Sequence, residues 1–129
     1  MDKNLRLLYV DDDHTQQWVM MSRFRGLFDI TVASSGHEAL KLMEHPEAFD
    51  VVVSDYNMPG MDGLEFLDEA SQRQPDAIRI LVSGNMDAAL TSKALSADYV
   101  SRVLDKAWHK DCLKQAVIEE LTQRLQICD

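Results

Sequence analysis

Positive charge is scarce in this chain: 13 lysines and arginines stand against 22 aspartates and glutamates in 129 residues, a formal charge of -9. A nucleic-acid site needs clustered basic surface against the phosphate backbone, so direct DNA or RNA binding by this segment is excluded. Cysteine is almost absent. Cys112 and Cys128 fall sixteen positions apart in what reads as one helix, too far along its axis for a bridge. They are expected as reduced thiols of a cytosolic, cytoplasmic protein. No stretch approaches the roughly 18 to 20 apolar residues of a membrane span, and no signal-peptide pattern precedes Leu5. There is no internal repeat, low-complexity tract or flexible linker. An apolar content of 46% in a chain of this length is enough for one packed core, and a single domain over residues 1–129 is expected.

What is present is alternation. Short apolar runs take turns with segments of helical period, the pattern of a βαβ series with helices on both faces of a parallel sheet. Strands are predicted over residues 5–10, 30–33, 51–54, 78–82 and 99–104. The first helix, over 14–27, carries Met20, Met21, Phe24, Leu27 and Phe28 at three- and four-residue spacings. The second begins at Ser35, whose Ser-x-x-Glu pattern with Glu38 is a capping box, and ends before Pro46. The third starts at Asp62, with Glu65 giving an equivalent signal, and runs to about residue 73; a fourth covers 87–95 and a fifth 110–127. Five strands and five helices in strict alternation fit an open doubly wound α/β sheet, in which ligands bind beyond the carboxyl ends of the strands.

The chemistry-bearing residues fall at those ends. Asp55 closes the run Val51-Val52-Val53-Ser54 and opens the turn Tyr56-Asn57-Met58-Pro59-Gly60-Met61-Asp62-Gly63, while Asp11-Asp12-Asp13 close Leu7-Leu8-Tyr9-Val10. If the two runs are neighbouring parallel strands, at least three carboxylates converge, and like charges about 4 Å apart repel by roughly 4 kcal/mol at an effective dielectric near 20. Such a cluster needs a cation or must protonate one member, and oxygen ligands of this kind favour a hard divalent ion such as Mg²⁺. Ser83 ends the fourth strand and Lys106 follows the fifth. Asp13 reads as an acid complementing the first helix dipole. His14 reads as a surface residue without a partner at metal-ligand spacing, and Gly60 and Gly63 as turn residues.

Taken together, in this order and spacing, the acidic pair, Asp55 with its Met-Pro-Gly-Met-Asp-Gly loop, Ser83 and Lys106 resemble the receiver domain of two-component response regulators. The resemblance covers nearly the whole chain. It implies the flavodoxin-like strand order 2-1-3-4-5 and a phosphoacceptor at Asp55 that takes a phosphoryl group from a histidine kinase or phosphotransfer protein. It also implies Mg²⁺ held by Asp12, Asp55 and the backbone carbonyl of Asn57, with Asp11 acting through water. Lys106 and the Ser83 hydroxyl would contact the remaining phosphoryl oxygens. A carboxylate is already ionised at neutral pH, so such a nucleophile needs no general base, only positioning and compensation of charge. The domain is then a phosphoacceptor and not an enzyme acting on a separate substrate.

The chain departs from the family pattern at two places. The family usually follows its lysine with a cis proline, whereas Ala107 follows Lys106; a cis bond before a non-proline residue costs about 3 to 4 kcal/mol, so a trans bond and a reshaped loop before Trp108 are expected. Val103 stands where the family commonly has Tyr or Phe as a switch residue. Signalling is therefore expected through backbone shifts of the fourth helix and fifth strand toward an output surface that includes Val103 and Trp108. The segment 97–108 also resembles receivers joined to HD-type cyclic-dinucleotide phosphodiesterases or to kinase modules. In the last helix, Leu113, Val117 and Leu121 form one apolar row, and Ile118, Leu121, Leu125 and Cys128 continue at heptad-like spacings. That pattern suits a core helix, or one leading into an effector domain in cis or a homodimer partner. Two rival functions remain: a receiver-like binding module without phosphotransfer, and a phosphohydrolase with an aspartyl nucleophile.

Overall fold

The computed structural model describes residues 5–84, 88–105 and 110–127, without the side chains of 105, 110–112 and 124–127. The chain alternates β1 (Leu5–Val10), α1 (His14–Arg23), β2 (Phe28–Ala33), α2 (Gly36–Leu42), β3 (Val51–Asp55), α3 (Gly63–Arg73), β4 (Ile78–Ser83), α4 (Ala88–Ser96), β5 (Arg102–Asp105) and α5 (Lys110–Ile127). The strands form one sheet in the order β2-β1-β3-β4-β5, and every pairing is parallel. This is the doubly wound order that the resemblance implies.

Strand periodicity builds two cores, one on each face. Leu8 and Val10 of β1, Val52 of β3 and Leu81 of β4 pack with Leu40, Leu67 and Ala94 from α2, α3 and α4. Their strand neighbours Leu7, Tyr9, Val51, Val53 and Ile80 point the other way and pack with Met20 of α1 and Leu113 and Val117 of α5. Every residue of β3 is buried, as a central strand covered on both faces requires.

Local chemistry sets the element starts. Asp13 caps α1, its carboxylate accepting from the Thr15 and Gln16 N–H groups at 2.9 and 3.4 Å. At α2 the Ser35 hydroxyl accepts from the Glu38 N–H at 3.1 Å. At α3 the capping box is complete: the Asp62 carboxylate accepts from the Glu65 N–H at 2.9 Å and the Glu65 carboxylate from the Asp62 N–H at 3.1 Å.

Several boundaries differ from expectation, most at the end of α1 and the starts of β2 and β5. α1 stops at Arg23, and Gly26, at φ 85°, reverses the chain so that Phe28 opens β2 two residues early. Helical spacing of Phe24 and Phe28 is met instead by an edge-on ring contact with centroids 5.9 Å apart, while Met21 is exposed. β5 begins at Arg102, not at 99, because Arg79 captures the approach: its Nε donates to the Tyr99 carbonyl at 2.7 Å and its N–H to Ser101 Oγ at 3.0 Å. Among the described residues no helix is long and apolar enough to cross a membrane.

Candidate functional site

Parallel register brings the carboxyl ends of β1 and β3 side by side. Val10 pairs with Ser54, so Asp11 and Asp55 emerge next to one another at the same edge. One carboxylate oxygen from each of Asp11, Asp12 and Asp55 can be chosen so that all three lie within 4.8 Å of one another. Asp11 is wholly buried and Asp55 is 4% exposed, whereas Asp12 is exposed to solvent. At 4.8 Å two unit charges repel by about 3 kcal/mol at an effective dielectric near 20, before water screens the exposed member. The donor set is all oxygen, anionic and open on one side. Such a set fits a hard divalent cation of the Mg²⁺ class and lacks the nitrogen or sulfur ligands that select zinc.

Asp11 is held from several sides. The buried Tyr9 hydroxyl donates to its Oδ2 at 2.7 Å, and the Asp13 N–H donates to its Oδ1 at 3.0 Å. Its own N–H donates to the Ala33 carbonyl at 3.1 Å. Burial first, and then the hydrogen bond to Asp11, push the Tyr9 hydroxyl well above the usual phenol range, so Tyr9 stays a neutral donor. Gln17 adds a clamp behind the acids: its Nε2 donates to the Asp11 carbonyl at 2.8 Å and to Ser34 Oγ at 3.0 Å, joining the ends of β1 and β2. His14 is exposed and lies 3.4 Å from Ser34 Oγ through Nε2, in keeping with the surface reading.

Around Asp55 the loop is held by backbone contacts. The Tyr56 N–H donates to the Val82 carbonyl at 2.9 Å, and the Gly63 N–H to the Tyr56 carbonyl at 2.9 Å. Gly63 permits this approach, since an added Cβ would collide with the Asp55 carbonyl oxygen and lie 2.8 Å from both Leu81 Cδ1 and Tyr56 Cα. The sequence marks Gly63 as a turn residue; its observed part is close packing of α3 on the end of β3. Gly60, at φ 78°, does have the turn conformation. Tyr56, Asn57, Met58, Pro59 and Asp62, all in the loop that follows β3, line an open cleft of about 430 Å³.

Ser83 is fully buried at the end of β4, one strand over from Asp55, whose register partner is the adjacent Val82. Val103 is half-buried on β5, pairs with Leu81, and packs against the core shared by α2, α3 and α4. The expectations for Lys106, for the 106–107 peptide and for Trp108 lie outside the described residues. Tyr9 and Gln17 were not singled out from the sequence. Tyr9 carried a readable signal: it lies two residues before Asp11, which directly follows β1, so strand alternation carried one step on puts both on the same sheet face.

A sequence model of the family described as response regulator receiver domain matches residues 7–118. The hydrogenase transcriptional regulatory protein HoxA of Cupriavidus necator is 30% identical over 116 residues, covering 90% of this chain and 24% of that protein. The DNA-binding transcriptional regulator NtrC of Klebsiella pneumoniae is 35% identical over 100 residues, or 74% and 21% of the two chains. The chain thus spans about a quarter of the length of these curated relatives. Among solved structures, the signal receiver domain of an HD domain-containing protein from Pseudomonas fluorescens Pf-5 superposes with a TM-score of 0.84 at 26% identity, covering 96% of this chain and 99% of that one.

Proposed function

The chain belongs to the response regulator receiver domain family, and on that premise we propose that Asp55 is a phosphoacceptor served by a Mg²⁺ pocket. The observation that carries this reading is the convergence of the Asp11, Asp12 and Asp55 carboxylate oxygens within 4.8 Å. A carboxylate oxygen of Asp55 attacks the phosphorus of a phosphohistidine on a histidine kinase or phosphotransfer protein. The O–P bond forms as the P–N bond breaks, and the imidazole leaves. Asp12, Asp55 and the Asn57 backbone carbonyl would hold Mg²⁺, with Asp11 acting through water, and the ion would supply positive charge to offset that on the phosphoryl oxygens. Ser83 donates its hydroxyl to one phosphoryl oxygen and Lys106 brings its ammonium to another. The burial of Asp55 limits access of bulk water to the acyl phosphate, so electrostatic contacts in the pocket count for more.

Phosphorylation replaces a charge of -1 by roughly -2 and adds acceptor oxygens, which draws Ser83 and Lys106 inward. With Val103 in place of an aromatic switch, the shift passes through the backbone of α4 and β5, where Leu90 of α4, Val103 of β5, and Tyr99 and Val100 between them adjoin the shared core. Residues 1–129 act as one receiver module. The output is an effector domain in cis, a partner protein in trans or a second copy; the likeness to a receiver from an HD domain-containing protein makes an HD domain one candidate for the effector in cis. The reading carries a cytoplasmic location. Beryllium fluoride with Mg²⁺ tests it: amide resonances of Asp55, Ser83, α4 and β5 are expected to move together in the parent and not in Asp55→Asn. Binding that leaves α4 and β5 unmoved contradicts the proposed route.

A further inference from the structure

A hydroxyl within an apolar core is tolerated only where it finds a partner. Tyr9 is 1% exposed, sits between Val32 of β2 and Val53 of β3 in the sheet, and packs with Met20 and Leu113 from the covering helices. An aliphatic side chain, such as Leu7 one pleat earlier, would satisfy that slot as core. The ring instead carries a polar atom toward the carboxyl end of the sheet, where its partner is a pocket acid.

We propose that Tyr9 is a positioning residue of the metal pocket: its hydroxyl, 2.7 Å from Asp11 Oδ2, fixes that carboxylate in the orientation that receives a divalent cation. The inference rests on the metal reading given under the proposed function. With Oδ2 held by Tyr9 and Oδ1 by the Asp13 N–H, both oxygens of Asp11 have fixed directions before any cation arrives. The cation then meets an ordered acid and does not have to immobilise one on binding. The same ring lies in the core shared with α1 and α5, so the orientation of Asp11 is tied to the packing of those two helices.

Tyr9→Phe removes the donor and keeps the ring. Loss of an outer partner of a metal-binding group typically costs 10- to 100-fold in affinity, and because Asp11 acts through water the lower end, about tenfold, is expected for Mg²⁺. Tyr9→Leu removes ring and hydroxyl together. It is expected to melt at lower temperature than Tyr9→Phe while losing Mg²⁺ affinity to the same extent, since only the donor matters to the metal. The test titrates the metal-free chain with Mg²⁺, following the amides of residues 11–13 by NMR and the heat by calorimetry, with melting in chelator reporting the fold.

Mg²⁺ affinity of Tyr9→Phe within about twofold of the parent, well short of the outer-shell range, overturns the proposal, as does a loss seen in Tyr9→Leu alone. A parent that binds no Mg²⁺ overturns the metal reading itself, and this inference with it. In the unaltered protein a Tyr9 hydroxyl proton shielded from solvent exchange is expected with and without Mg²⁺. A freely exchanging hydroxyl proton overturns the positioning role without any variant.

Discussion

Replacing Gly63 by alanine loads one methyl group onto the backbone that carries the phosphoacceptor. The new Cβ would collide with the Asp55 carbonyl oxygen and sit 2.8 Å from Tyr56 Cα and from Leu81 Cδ1. Rotation can relieve the Leu81 contact; the other two are backbone and yield only if the end of β3 or the start of α3 moves. Overpacking costs about 1 to 3 kcal/mol, and backbone contacts place this site near the top of that range. Alanine's advantage over glycine in a helix, at most about 1 kcal/mol, offsets part of it and leaves roughly 2 kcal/mol. In a domain of this size each kcal/mol moves the melting temperature by about 3 to 5 °C, so Gly63→Ala should melt roughly 6 to 10 °C below the parent. Because the displacement falls on the peptide of Asp55 itself, Mg²⁺ affinity should fall with it. Gly26→Ala is the control: φ 85° makes alanine strained there, but nothing lies within 4 Å and the turn is at the opposite end of the sheet from the acids. That variant should lose about 1 kcal/mol and keep its Mg²⁺ affinity. Melting by circular dichroism, with chelator and with Mg²⁺, separates the two. A Gly63→Ala protein with the parent's melting temperature and Mg²⁺ affinity would refute the close-approach argument.

Mg²⁺ at a hundredfold excess over its dissociation constant should add about 2.7 kcal/mol to folding stability, and Asp12→Asn should lose most of that gain. An equal rise in melting temperature for both proteins would remove Asp12 from the ligand set. At the far side of the sheet Arg102 of β5 holds Glu119 and Glu120 of α5 at 2.8 and 2.9 Å. The hydrogen bond from Gln115 holds the Glu119 carboxyl below the usual range, burial opposes this, and Arg102 adds to the lowering. A carboxylate depressed in the folded state contributes stability above its unfolded value, near 4.3, and loses it as pH falls through the folded one. Urea unfolding between about pH 5 and 3 should therefore be less pH-dependent in Gln115→Leu than in the parent. Parallel curves would contradict that assignment.

The architecture was legible because each period found a matching partner. The run Leu7-Leu8-Tyr9-Val10 is buried on both faces, and the last helix has the bounds that its pattern predicts. Boundaries went astray where a distant group intervened. Helical spacing of apolar residues continues past Arg23, yet Gly26 turns the chain. The strand-forming pair Tyr99-Val100 yields to the side chain of Arg79, whose reach to the Tyr99 carbonyl no local pattern encodes. Among the acids, Asp11, Asp12 and Asp55 could be paired from sequence because parallel strands share a carboxyl end. Tyr9 was hidden as one more core residue, and the packing role of Gly63 depends on how closely α3 approaches the backbone of Asp55 and Tyr56, which no local pattern encodes.

The central claim is that Asp55 accepts a phosphoryl group in a Mg²⁺-dependent pocket. Intact mass after incubation with acetyl phosphate and Mg²⁺ tests it most directly: the parent should gain about 80 Da, the gain should vanish with chelator, and Asp55→Asn should show none. A parent that gains nothing from a competent donor, or an Asp55→Asn protein that gains the same mass, would contradict the account.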